Sequence, residues 1–302
     1  MNNSQDLPLV SFCIFTYNQE KYIEEAIRGA LSQEYENLEI IVSDDCSSDR
    51  TYEIAKGIID EYSGPHKVIL NRNEPNLGIR EHCNKVLYEI AKGDYILLAG
   101  GDDISAPKRT STYVDLFMRY PQVASISCLS EEVAEDLSLL QDLCFDTDWD
   151  NSVSIYTFND YANFSNFIIY SGDSRGLRRD VITKFPKLKY PKAEDIYLFY
   201  RSLLLGSGCY IRTPLVKRRH HGSNESSVRT TRETLENNYK QLKADTDWAY
   251  EKKYINEKKY DLAKKKVLSI NNFFKYYSTS LFYSPTVFFY RVLRRLFKVS
   301  KY

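Results

Sequence analysis

The apolar run Leu97-Leu98-Ala99 ends in Gly100-Gly101 and then in two adjacent carboxylates, Asp102 and Asp103. Neighbouring like charges repel, so such a pair suits a turn only where a cation or several donors gather around it. A hard divalent ion meets that demand, because Mg²⁺ or Mn²⁺ is typically held by one or two carboxylates while phosphate and water fill the other positions. The competing reading is an Asp-rich turn that caps a helix over Ser105-Ala106-Pro107. A second acidic group, Asp44-Asp45-Cys46-Ser47-Ser48-Asp49, follows the apolar run Leu38–Ser43. A carboxylate there can accept from the N3–H of a pyrimidine base, and Ser48 or Asp49 can cap the next helix. Glu194-Asp195 opens an apolar-periodic stretch, where the helix dipole favours negative charge and a carboxylate can serve as general base. Arg219-His220-His221-Gly222-Ser223-Asn224 offers cation, imidazole and small polar groups suited to a pyrophosphate or a metal, or to a solvated surface loop.

These groups need a scaffold. Residues 8–16 form a short β-rich run that ends in Tyr17-Asn18-Gln19, and Tyr22, Ile23, Ala26, Ile27, Ala30 and Leu31 then recur at helical spacing. The pattern repeats with a strand over Leu38–Ser43 and a helix from Thr51 to Tyr62, then a strand over Lys67–Leu70 and a helix near Ile79–Ala91, then a strand over Tyr95–Ala99. Four strands alternating with three helices imply an α/β fold with a doubly wound, mostly parallel sheet. Ligands bind such sheets beyond the carboxyl ends of the strands, and Thr16-Tyr17-Asn18, Asp44-Asp45 and Gly101-Asp102-Asp103 all fall at that edge. Residues 125–216 read as mixed, with a short strand at Phe167–Tyr170 and a helix near Asp195–Leu205; a Lys/Tyr-rich helical region follows from about Thr231 to Leu268.

The 302 residues carry 41 Lys+Arg against 41 Asp+Glu, a balance that argues against a nucleic-acid-binding protein. The balance hides a division: residues 1–216 hold 21 basic and 33 acidic side chains, net −12, and residues 217–302 hold 20 and 8, net +12. Six separated cysteines without a CxxC pair fit a reduced, cytosolic compartment. The N-terminus lacks the pattern of a signal peptide, and no apolar run reaches the roughly 18 residues of a membrane span.

The run from Pro8 to Asn18, then Asp44-Asp45-Cys46-Ser47-Ser48-Asp49, Asn76-Leu77-Gly78 with Asn84, Gly93-Asp94-Tyr95 leading into Gly101-Asp102-Asp103, Glu194-Asp195 and Arg219-x-His221 resembles the family 2 glycosyltransferases of GT-A fold, of bacterial surface-polysaccharide type. The resemblance covers about residues 7–226 and leaves 227–302 as a helical C-terminal region. It implies an inverting sugar transfer from a nucleotide-diphosphate sugar, a UDP-sugar being favoured, with Mn²⁺ or Mg²⁺ as cofactor. By position, Phe15, Thr16, Tyr17 and Asn18 would border the nucleotide and Asp44 or Asp45 would read the base. Asp102 would contact the ribose or sugar beside the metal, and Asp103 would hold the metal. Asp195 would be the general base with Glu194 beside it. Arg219 and His221 would close over the diphosphate, with His221 also a candidate metal ligand, and Arg80 would be a further phosphate contact. The motif reads Gly-Asp-Asp where the family has Asp-x-Asp, so Gly101 cannot ligate and more of the task falls on Asp103.

Beyond the resemblance, Arg291, Arg294, Arg295 and Lys298 follow an i, i+3, i+4, i+7 spacing, and residues 271–302 contain six Lys/Arg and no acid. Such a basic aromatic tail suits an anionic membrane surface, which implies a cytoplasmic protein peripheral to the inner face of the membrane; together with the family resemblance it implies a polyprenyl-diphosphate-linked saccharide acceptor. The tail could instead pack on the catalytic domain. Two further readings compete: a sugar-phosphate nucleotidyltransferase, which would need a Gly-rich, Lys-containing loop after the first strand, and a nucleotide-sugar-binding or membrane-tethered assembly module without turnover.

Overall fold

The alternating pattern of the first hundred residues becomes a parallel sheet covered on both faces. The computed structural model describes residues 7–140, 153–163, 174–190, 195–222 and 232–277. Glu194, the strand expected at Phe167–Tyr170 and the tail beyond residue 277 lie outside the described residues. Strands β1 (Val10–Thr16), β2 (Leu38–Asp44), β3 (Lys67–Arg72) and β4 (Tyr95–Gly100) pair in parallel in the order β3-β2-β1-β4. Helices α1 (Ile23–Leu31), α2 (Thr51–Glu61) and α3 (Gly78–Lys85) make the crossovers, α3 running on into a single wide π-helical turn over Val86–Ile90. Side chains alternate along β1: Val10, Phe12 and Ile14 join the cluster on one face and Cys13 joins the other. Burial on both faces is what allows the near-continuous apolar sequence of a parallel strand.

The second half is mixed. It holds β5 (Ile104–Ser105), α4 (Arg109–Arg119), β6 (Val123–Val133), β7 (Val153–Tyr156), α5 (Phe158–Asn163), β8 (Gly176–Arg178), α6 (Asp180–Thr183), α7 (Asp195–Leu205) and β9 (Ser207–Arg219). The sheet continues from β4 as β8-β6-β9-β5, with β8 antiparallel to β4 and to β6, β9 parallel to β6, and β5 antiparallel to β9. This returns β5, which directly follows the Asp102-Asp103 turn, to the end of β9.

The helical region is two helices, α8 (Arg232–Glu251) and α9 (Glu257–Tyr277). They are not a free appendage: Leu242, Ala249, Ala263 and Val267 share a buried cluster with Tyr197, Tyr200, Leu203 and Leu204 of α7. Among the described residues no helix is long and apolar enough to cross a membrane. The five described cysteines, Cys13, Cys46, Cys83, Cys128 and Cys209, are free thiols.

Candidate active site

Parallel register sets the first two site loops side by side, Thr16 being paired with Asp44 and Phe15 with both Ser43 and Gly100. At the loop tips the backbone turns left-handed at Asn18 (φ 52°) and Cys46 (φ 62°), conformations uncommon for residues other than glycine and concentrated at functional sites. Hydrogen bonds lace the two loops together. The Asn18 N–H donates to Ser47 Oγ (2.9 Å), the Ser48 N–H to Asn18 Oδ1 (2.9 Å) and the Gln19 N–H to Thr51 Oγ1 (2.7 Å). Tyr17 is left 45% exposed beside them. Phe15 meets His82 edge to face at 5.2 Å. The cap expected from Ser48 or Asp49 is not formed: Arg50 holds the N-cap position without a side-chain capping bond, and Asp49, one residue earlier, accepts the Thr51 N–H at 2.9 Å.

Asp44 and Asp45 are both buried and serve different turns. Asp44 accepts the Ser47 N–H (3.0 Å) and the Ser47 hydroxyl. Asp45 accepts from Asn73 Nδ2 (2.7 Å), Leu77 N–H (2.9 Å) and Gly78 N–H (2.8 Å), which ties the start of α3 to the end of β2. Gly78 has φ +72°, which glycine adopts without steric cost.

The β4 turn is built on close approach. A Cβ on Gly101 would lie 2.4 Å from Gln19 Oε1 and 2.7 Å from Thr16 Oγ1, and one on Gly100 would lie 2.6 Å from Asp102 Oδ1. Only glycines let the first loop and the carboxylates fold so tightly against this turn. The Ile104↔Lys217 pairing of β5 with β9 then brings the end of β9 alongside it. Asp103 Oδ1 accepts the Arg219 N–H at 2.9 Å, the Asp102 carbonyl accepts from Arg219 Nε at 3.2 Å, and Asp102 Oδ2 pairs with His221 Nε2 at 2.9 Å. His220 turns the other way, to Glu132, so His221 is the imidazole that reaches the aspartates. The Arg219 side chain is 4% exposed and bonds Glu25 and the Glu135 carbonyl.

Three contributors were not visible in the motifs. Tyr22 stacks on His221 (4.5 Å between centroids) and lies under the Arg219 guanidinium at 5.0 Å. Its hydroxyl donates to Glu135 at 2.8 Å; burial first, and that bond second, push its pKa up to about 12. Glu25 and Glu135 anchor Arg219. The only signal in the sequence was the position of Tyr22 and Glu25 in the first turns after the first loop, where they read as ordinary helix residues.

Asp102 pairs with His221 while Asp103 accepts the Arg219 N–H, so the two carboxylates and the imidazole stand on neighbouring elements. That donor set suits a divalent ion whose other positions are filled by diphosphate oxygens and water. Among the described residues no group of three or more His, Cys, Asp or Glu is placed to hold a metal ion. Asp195 lies on a different element as the first residue of α7, where its carboxylate accepts the Ile196 N–H at 2.8 Å. Arg80 is directed elsewhere: it donates to Glu81 (2.9 Å) and to the Lys189 carbonyl (3.0 Å).

Comparison with known proteins bears on the family and the fold. The chain is 40% identical over 108 residues to the putative glycosyltransferase EpsE of Bacillus subtilis, a match that spans 35% of this chain and 37% of that protein. It is 31% identical over 233 residues to an uncharacterized glycosyltransferase of Haemophilus influenzae, spanning 74% of this chain and 69% of the relative. Among solved structures it shares its fold with Staphylococcus aureus TarS in complex with UDP-GlcNAc (TM-score 0.65, 16% identity, 91% of this chain and 76% of that one). It also shares it with the mannosyltransferase PcManGT of Pyrobaculum calidifontis in complex with GDP-Man and Mn²⁺ (TM-score 0.55, 14% identity, 99% and 83%). The expected GT-A architecture is therefore the observed one. The model of glycosyl transferase family 2 matches residues 11–185, which include the paired aspartates at the carboxyl edge of the sheet, and the chain belongs to that family.

Proposed function

We propose that the protein is a metal-dependent inverting glycosyltransferase that moves a sugar from a nucleotide-diphosphate sugar, a UDP-sugar in the favoured case, to a hydroxyl of a lipid-linked saccharide in surface-polysaccharide synthesis. The observation that carries this reading is the joining of Asp102 and Asp103 to Arg219 and His221 by hydrogen bonds at the carboxyl edge of the sheet. Over a hundred residues separate the two pairs in sequence, and their meeting brings two aspartates, a guanidinium and an imidazole together.

Phe15, Thr16, Tyr17 and Asn18 border the nucleotide, and Asp44 or Asp45 reads the base only if that buried carboxylate gives up one of its turn donors. Asp103, with Asp102 and His221 beside it, would hold Mn²⁺ or Mg²⁺, which supplies charge neutralisation for the departing diphosphate. Arg219 holds both aspartates in place, its N–H on Asp103 and its guanidinium on the Asp102 carbonyl, and reaches the leaving diphosphate only if it leaves Glu25. Asp195, with Glu194 beside it, takes the proton from the acceptor hydroxyl as that oxygen attacks the anomeric carbon from the face opposite the diphosphate; such proton transfer contributes roughly 10²–10⁴-fold. Arg80 reaches the phosphates only if it leaves Lys189. The basic tail over 271–302 docks on the anionic inner face of the membrane, where the acceptor resides.

The test is a screen of nucleotide sugars with Mn²⁺ for release of nucleoside diphosphate. One donor should be turned over, and Asp103→Ala and Asp195→Asn should each abolish turnover. Full activity in both variants overturns the site assignment, and binding without turnover of any donor points to a binding module. Deletion of residues 271–302 should reduce partition onto anionic liposomes; equal partition of both forms removes the membrane assignment.

A further inference from the structure

Residues Pro186–Tyr190 form an irregular segment whose backbone is held by side chains from three helices. Tyr88 and Arg201 both donate to the Pro186 carbonyl (2.8 and 3.0 Å). Asn84 brackets Leu188, donating to its carbonyl and accepting from its N–H, each at 2.9 Å. Arg80 donates to the Lys189 carbonyl. From the other side, Gln241 Oε1 of α8 accepts the N–H groups of Lys189 (2.9 Å) and Tyr190 (3.3 Å). Irregular backbone fixed at this many points has few ways to move.

The clamp from α8 is itself tied to α7. Asp245 binds Arg201 in a fork, Nε to Oδ2 and Nη2 to Oδ1 at 2.8 Å each, and both side chains are at most 1% exposed. Gln241 Nε2 donates to the same Asp245 oxygen at 2.9 Å, and Arg201 Nη1 donates to the Tyr88 hydroxyl at 2.7 Å. One connected set of polar side chains therefore reaches the segment, α7 and α8 together. The first residue of α7 is Asp195. On its other flank the segment is gripped by Asn84 and Arg80 of α3, the helix whose start Asp45 pins. We infer that Gln241 and Asp245 of α8, acting with Arg201 of α7, are positioning residues for catalysis: the helical C-terminal region sets where Asp195 stands relative to the nucleotide-side loops.

This rests on the role of Asp195 proposed above, and the test separates the two. Gln241→Met keeps the length of the side chain and removes both bonds to the segment. Arg201→Met with Asp245→Leu removes the fork without leaving a buried charge and serves where another change fails to fold; Lys240→Ala, exposed on the same helix, is the control. Amide exchange read by mass spectrometry should quicken at least tenfold over residues 187–190 and 195–199 in Gln241→Met and stay unchanged over 16–20 and 100–103. With the donor found in the screen and water as acceptor, kcat should fall on the order of 10²-fold while KM for the donor and UDP affinity hold within about twofold, the split expected of a misplaced base. A purely structural role would lower Tm and leave kcat of the folded enzyme intact. Unchanged exchange, or quickened exchange with wild-type kcat, overturns the positioning role alone. A wild-type protein that turns over no donor overturns the transferase reading, and the positioning role with it.

Discussion

Gly101 stands where a side chain has no room, between Gln19 Oε1 at 2.4 Å and Thr16 Oγ1 at 2.7 Å of its missing Cβ. Gly101→Ala must therefore push the first loop off the carboxylate turn, at a cost of about 1–3 kcal/mol for overpacking. The expected outcome is a lowered Tm together with weaker UDP binding in a titration, because the displaced loop is the one proposed to border the nucleotide. Wild-type UDP affinity in a destabilised Gly101→Ala protein would separate the glycine's packing role from the site. At this scale the sequence was informative wherever residue type carried the chemistry: Asp102, Asp103 and His221 announce themselves as carboxylates and imidazole in short motifs. Tyr22, Glu25 and Glu135 were not legible, because a tyrosine and two glutamates on ordinary elements acquire meaning only when β9 delivers Arg219 between them. Of two adjacent histidines, the sequence motif favours His221; in the structure His221 meets Asp102 and His220 meets Glu132.

The first four strands and α7 were legible because each is announced locally, by a short apolar run that stops at a polar cluster or by apolar residues at helical spacing. The helix expected at Asp195–Leu205 is α7 with the same bounds. The β6–β9 pairing was not legible. Its partners are far apart in sequence, the ladder has register shifts on either side of the Leu129↔Pro214 pair, and β9 contains Pro214, a residue that argues against a strand except at an edge or a bulge. Within the legible half, α3 and β2 share a buried polar contact that makes stability depend on pH: His82 Nε2 meets Ser43 Oγ at 2.7 Å. Burial holds the His82 imidazole below its ordinary 6.5, against the opposing pull of Asp45 and Asp44. The unfolded chain therefore takes up this proton at a higher pH than the folded one, so the contribution is complete above pH 6.5 and declines as pH falls below it. Thermal unfolding at about pH 7.5 and 5.5 should show a loss on acidification that is smaller in His82→Gln. An equal loss in both proteins would assign the acid sensitivity to other groups.

At the scale of the whole molecule a fully buried ion pair joins the two portions against the sense of their net charges: Arg201 of the acidic portion pairs with Asp245 of the basic one. A buried pair contributes little net stability, yet losing one partner strands the other's charge and costs about 3–5 kcal/mol. Arg201→Met should therefore lower Tm sharply, and the double change Arg201→Met/Asp245→Leu should recover most of the loss. The pH dependence follows from Asp245. Burial already pushes its carboxyl above the usual range while Arg201 pulls it back, so removing the arginine lets it rise further. A carboxyl raised in the folded state binds its proton more tightly there than in the unfolded chain, and stability then improves as pH falls. The Tm difference between wild type and Arg201→Met should be smaller at about pH 5 than at about pH 8. That pH dependence should vanish in the double variant, which has no carboxyl to protonate. A single cooperative transition in every variant is the further expectation, because α8 and α9 bury their apolar faces in the same cluster as α7. Separate transitions for the helical region and the sheet would mean that the fork joins two independently stable units, and α8 could not then hold the Pro186–Tyr190 segment as firmly as its hydrogen bonds suggest.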